Sequence, residues 1–154
     1  MKIEIHSRNS IKERANKPFV ARTALISITD MDHVFAVLSN KPDFLLQLKF
    51  DDIDTDAFDE LFDSYPTLLD AIQNTKELSL FNDEQAEKIA GFVKSVLGKA
   101  ELLICQCEYG QSRSAGVAAA VKQFLDNNGI EIFADDRYYP NKLVYRKVLA
   151  ALEA

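Results

Sequence analysis

The segment that most restricts the fold is the one from Glu101 to Leu125: a short apolar run (ELLICQ), a loop containing Gly110, and an Ala/Val-rich stretch from Ser114 onward. An apolar run of strand length with no polar alternation belongs in the middle of a sheet covered on both faces. The stretch after the loop also lacks a polar face and reads as a buried helix. A buried strand feeding a buried helix requires other strands beside it and further helices around the sheet.

The rest of the chain supplies both. Lys2–His6 alternates apolar and polar residues as a first strand does, Thr23–Ile28 (TALISI) reads as a second, and Phe44–Phe50 (FLLQLKF) as a third. An acidic run, Asp51–Asp56, follows, then a short helix expected over Ala57–Phe62. Asn82 can cap a stronger helix, with Gln85 at the reciprocal capping position. Ala86, Ile89, Val93, Val96 and Leu97 form its buried stripe, and Gly98 ends it. Asn127, Asn128 and Gly129 close the helix after the loop, and Pro140-Asn141 opens a last amphipathic one carrying Leu143, Val144, Val148 and Leu149. The fold class expected is α/β, with a central, mainly parallel sheet flanked by helices. With 154 residues and no internal repeat or Gly/Ser linker, a single domain spanning 1–154 is expected.

Charge and cysteine usage narrow the function. Eighteen Lys+Arg against 24 Asp+Glu give a net charge of −6, which argues against nucleic acid as a partner because phosphate backbones select basic surfaces. No apolar run approaches the ~18 residues that cross a bilayer, and the start of the chain lacks the apolar stretch of a signal peptide. A cytoplasmic protein without membrane association is expected. The only cysteines, Cys105 and Cys107, are too close for an unstrained disulfide. With no second pair and only His6 and His33 as histidines, neither a structural metal nor a cofactor is expected.

The loop from Cys107 to Arg113 carries the chemistry. Backbone amides of a strand-to-helix loop converge, and the positive end of the helix points at them, which makes an anion site. A thiol placed there is favoured as its anion. An arginine at a helix start is electrostatically misplaced as filler, but its planar fork can grip two oxygens of a phosphate.

Cys107-x-x-Gly110-x-Ser112-Arg113-Ser114 resembles the signature of the protein tyrosine phosphatase superfamily, in particular its dual-specificity branch. Pro140-Asn141 resembles the helix start common in that branch, and the helix from Asn82 fits the family order. The likeness runs from about Phe44 to the C-terminus. It implies a phosphomonoester hydrolase acting on a phosphorylated protein or a small phosphomonoester. Cys107 would be the nucleophile, forming a cysteinyl-phosphate, and Arg113 would clamp the phosphate. The amides of Glu108, Tyr109, Gly110, Gln111, Ser112 and Arg113 would hold its oxygens, so a phosphate or sulfate anion would sit in the loop. Ser114 would assist departure of the thiolate. The general acid would be an aspartate after the third strand, with Asp52 favoured over Asp51 and Asp54. The family's usual histidine before the nucleophile is here Gln106. Glutamine can hydrogen-bond but cannot carry charge, which implies a less activated thiol than in typical relatives.

Two alternatives stand beside this. A pseudophosphatase would keep the cradle and bind phosphorylated ligands without turnover. An arsenate-reductase- or sulfurtransferase-like enzyme would use Cys105 together with Cys107.

Overall fold

The computed structural model describes residues 1–57 and 79–154; the short helix expected over Ala57–Phe62 lies outside the described residues from position 58 onward. The strands are β1 (Lys2–His6), β2 (Thr23–Thr29), β3 (Phe44–Lys49) and β4 (Leu102–Gln106). They form one sheet in the order β1-β4-β2-β3 with every pairing parallel. The interior positions go to β2 and β4, every residue of which is buried, including the polar Thr23, Ser27, Thr29 and Gln106. The alternating run of β1 takes an edge, as its half-polar pattern requires.

Helices cover both faces. On one face α2 (Asp83–Val96), α3 (Arg113–Asp126) and α5 (Lys142–Glu153) pack over Ile26, Ile28, Leu48, Leu103 and Cys105. On the other, Ile11 of α1 (Arg8–Arg14) joins Leu25, Leu102 and Ile104. A short α4 (Ile130–Phe133) bridges α3 and α5. Each fully buried Leu or Ile in these clusters contributes about 1.5–3 kcal/mol of hydrophobic stabilisation. Neither α1 nor α4 was expected from the sequence, although Ser7 caps α1 by accepting from the Ser10 amide.

Local signals set the helix ends. Asn82 and Gln85 make both halves of the expected capping box. Beyond the end of α2, Gly98 turns the chain out at φ 78°, and Asn127 does so for α3 at φ 54°, a conformation that Asn tolerates better than most residues. No helix among the described residues is long and apolar enough to cross a membrane.

Because the strands are parallel, His6, Thr29, Lys49 and Gln106 all end at one edge of the sheet. The loops after them gather there, where open α/β sheets bind their ligands. One close contact locks the arrangement: a Cβ built on Gly116 of α3 would lie 2.7 Å from the Asn141 carbonyl oxygen. Replacing a mid-helix glycine by alanine ordinarily stabilises by about 1 kcal/mol. Here Gly116→Ala is expected to destabilise by about 1–3 kcal/mol, measured by urea unfolding, because the start of α5 must move.

Candidate active site

The loop between β4 and α3 rests on the junction of β1 and α1. The Cys107 amide donates to the His6 carbonyl at 3.3 Å, extending the β1–β4 ladder by one residue. Gly110 has φ 67°, and a Cβ there would lie 2.7 Å from both His6 C and Ser7 N. Only glycine fits so close a backbone approach in that conformation. Cys107 lies at the bottom of the loop, 2% exposed. Its Sγ lies 3.0 Å from the Ser114 hydroxyl and accepts from the Ser114 amide at 3.4 Å.

The loop carbonyls are tied to partners outside the loop. Cys107 O accepts from Gln106 Nε2 at 3.0 Å, and Glu108 O from the Arg8 amide at 3.0 Å. Gln111 O accepts from the Tyr139 amide at 2.8 Å, and Ser112 O from the amides of Gly116 and Asn141 at 2.8 and 3.0 Å. In a planar trans peptide the N–H points opposite to the C=O of its own unit. Anchoring these carbonyls from outside therefore turns the amides of Glu108, Tyr109, Ser112 and Arg113 toward the interior of the loop. Among the described residues no protein acceptor takes any amide from Glu108 to Arg113. Ser112, the N-cap of α3, makes no side-chain cap, so the start of that helix is also left open. Converging free amides at a helix N-terminus suit a multiply charged oxyanion.

Arg113 is nearly buried. Its Nη1 donates to Asp30 Oδ1 at 2.7 Å and to the Phe50 carbonyl at 2.8 Å, while its buried Nε has no partner among the described residues. A buried guanidinium donor without an acceptor is costly unless a ligand supplies one. Asp30, which the sequence reading passed over, thus orients Arg113; its only sequence signal is an acid directly after a buried strand. The other oxygen of Asp30 lies 3.1 Å from His33 Nδ1. Asp30, Asp32 and His33 bring possible ligand atoms within 4.8 Å of one another, but both Asp30 oxygens already serve this ion-pair chain.

The acidic run divides by partner. Asp51 accepts from the amides of Ser79 and Met31 and so ties two loops together. Asp54 accepts from the amides of Lys142 and Leu143 at 2.6 and 3.1 Å, capping α5 from another segment. Asp56 pairs with Arg146. Asp52 alone of the three candidate acids reaches the loop from Cys107 to Arg113: its Oδ1 accepts from the Ser112 hydroxyl at 2.7 Å and from Asn141 Nδ2 at 3.0 Å. Asn141 meanwhile caps α5 through its Oδ1, so it both starts a helix and touches the acid. Asp83 lies in the first turn of α2 and pairs with Lys147, whose hydrogen bond and charge lower its carboxyl pKa.

Gln106 is fully buried, accepts from the Ser27 hydroxyl and holds Cys107 O. Cys105 is a core residue: burial pushes its thiol pKa far up, and the neighbouring Cys107 adds to the rise. Tyr109 stands exposed on the loop.

No protein-family model matches the sequence, and neither does any curated protein. The fold does match solved structures. Human DUSP28 aligns with a TM-score of 0.57 at 13% identity, over 98% of this chain and 91% of its own. Tk-PTP in its active form aligns at 0.55 and 13%, over 99% and 92%, and PTPMT1 in complex with PI(5)P at 0.55 and 13%, over 99% and 90%. The fold is the one these solved structures share, a central sheet flanked by helices; the sequence led us to expect a mainly parallel sheet, and every pairing in it is parallel.

The burial of Cys105 has a direct chemical consequence. Iodoacetamide at neutral pH is expected to spare Cys105 in the folded protein and to label it in urea, as read by peptide mass mapping. Cys105→Ser should leave the labelling rate of Cys107 within about twofold of wild type, since a buried thiol held protonated is inert.

Proposed function

We propose that this chain is a cysteine-dependent phosphomonoester hydrolase. The observation that carries the reading is the set of donors around Cys107: the amides from Glu108 to Arg113 and the buried Arg113 Nε, none with a protein acceptor among the described residues. Such a set matches the equatorial oxygens of a phosphoryl group in transfer, where catalysis is mostly positioning and charge stabilisation. A mouse structure that shares the fold is described as a putative dual specificity phosphatase, which supports the same class.

In this mechanism the Cys107 thiolate attacks phosphorus and the ester P–O bond breaks. Asp52, entering protonated, gives its proton to the departing oxygen. The phosphoryl group is then held on sulfur. Asp52, now a carboxylate, takes a proton from water as that water attacks phosphorus, and the S–P bond breaks to release inorganic phosphate. The Ser114 hydroxyl, 3.0 Å from the sulfur, donates to the thiolate as it leaves. Gln106 orients the nucleophile's peptide without carrying charge.

The substrate in this reading is a monoester on a protein side chain or a small molecule. PTPMT1 was captured with PI(5)P, but the variable loop positions of this chain are Glu108, Tyr109 and Gln111, which add no cation for a polyphosphorylated headgroup. The redox alternative gains nothing from Cys105, which is fully buried.

Hydrolysis of para-nitrophenyl phosphate in EDTA tests the reading. Wild type should turn over, and Cys107→Ser should lose activity by at least about 10³-fold. Equal inertness of the two at every pH between about 5 and 7 would leave only the non-hydrolysing binding module. Asp52→Asn should slow phenyl phosphate by about 10²-fold while slowing an aryl phosphate with a strongly acidic leaving group far less, since a good leaving group needs little protonation.

A further inference from the structure

We propose that Arg8 is a positioning residue for the catalytic loop and maintains its affinity for oxyanions by neutralising Glu108. The inference rests on the reading of the loop as a phosphate cradle.

Glu108 directly follows the nucleophile, and its amide belongs to the cradle. A free carboxylate on the residue next to the nucleophile would add negative charge beside a site for a doubly charged phosphate. Coulomb repulsion of that kind weakens binding by about tenfold even under substantial solvent screening. Glu108 does not stand free. Its Oε2 accepts from Arg8 Nε at 2.7 Å, with the two side chains 27% and 19% exposed. The Arg8 amide also holds the Glu108 carbonyl, so one residue grips both the side chain and the backbone of Glu108.

The guanidinium is fixed in turn. Arg8 Nη2 donates to the Thr29 hydroxyl at 2.8 Å and to the Val34 carbonyl at 2.7 Å. Its acceptors therefore come from the catalytic loop, the end of β2 and the segment after β2, a pattern that a planar fork satisfies and an ammonium does not. Thr29 is followed by Asp30, so adjacent residues at the end of β2 hold the two arginines, Arg8 and Arg113. Arg8 is also the first residue of α1, whose first turn contains no acid. A cation is disfavoured there by the helix dipole, and the partners across the loop offset that penalty.

Tungstate binding measured by calorimetry separates charge cancellation from a generic loss of structure. Arg8→Gln should raise the tungstate Kd and the KM for para-nitrophenyl phosphate about tenfold, with kcat changed by less than about threefold. Glu108→Gln alone should bind tungstate at least as tightly as wild type. The Arg8→Gln/Glu108→Gln double variant should return to within about threefold of wild type. An unchanged Arg8→Gln protein overturns the inference, and so does a double variant as weak as the single one. Should Arg8→Gln not fold, Glu108→Gln decides: weaker tungstate binding by that variant overturns the proposal. Wild type that binds no tungstate removes the phosphate reading itself, and this inference with it; wild type that binds while Arg8→Gln binds equally well removes only the inference.

Discussion

The site depends first on the direction in which a few peptide units face. The loop after Cys107 could satisfy its own amides by folding into a helical turn, as most chains would. Instead its carbonyls are held from outside by Gln106, Arg8, Tyr139, Asn141 and Gly116. The amides of Glu108, Tyr109, Ser112 and Arg113 are left facing inward, with no acceptor among the described residues. Backbone donors kept unpaired in a shielded place cost free energy, and the surrounding fold supplies it through packing around the sheet. Gly110 and Gly116 allow this by letting backbone approach backbone where a Cβ would lie 2.7 Å from a neighbour.

The same edge of the sheet assembles the remaining parts. The end of β2 places Asp30 against Arg113, and the turn after β3 brings the Phe50 carbonyl to the same Nη1. Among the described residues that leaves Nε buried without an acceptor. From the turn after β3 the chain continues to Asp52, which is fixed against Ser112 and Asn141. Asp54 caps α5 and Asp51 ties to Ser79, so the acidic run is moored on either side of Asp52. Asp52 is thereby placed by its neighbours, which have structural tasks of their own.

Much of this was legible in the sequence. The apolar run before Cys107 marked β4 as an interior strand, and the capping box marked the start of α2. The spacing from Cys107 to Ser114 marked the loop, because those residue types are poor filler at a helix start. What was not legible depends on contacts distant in sequence. Asp30 meets Arg113 and Arg8 meets Glu108 only once β1, β2 and β4 lie side by side. The sequence favoured Asp52 over Asp51 and Asp54 only by its place after the third strand; the partners of the three, which lie far along the chain, are what distinguish their surroundings. The α1 helix was missed because seven residues give too short a periodic signal, although Ser7 was a usable cap.

The central claim is that Cys107 takes the phosphoryl group onto its sulfur within a ring of inward amides. Rapid quenching of the enzyme in denaturant during turnover of an aryl phosphate, followed by mass spectrometry of the peptide bearing Cys107, tests it directly. A phosphoryl group on Cys107 that forms and decays at rates matching turnover is the expected result. Turnover with the phosphoryl group on another residue, or with no phosphorylated Cys107 at any quench time, would contradict the account.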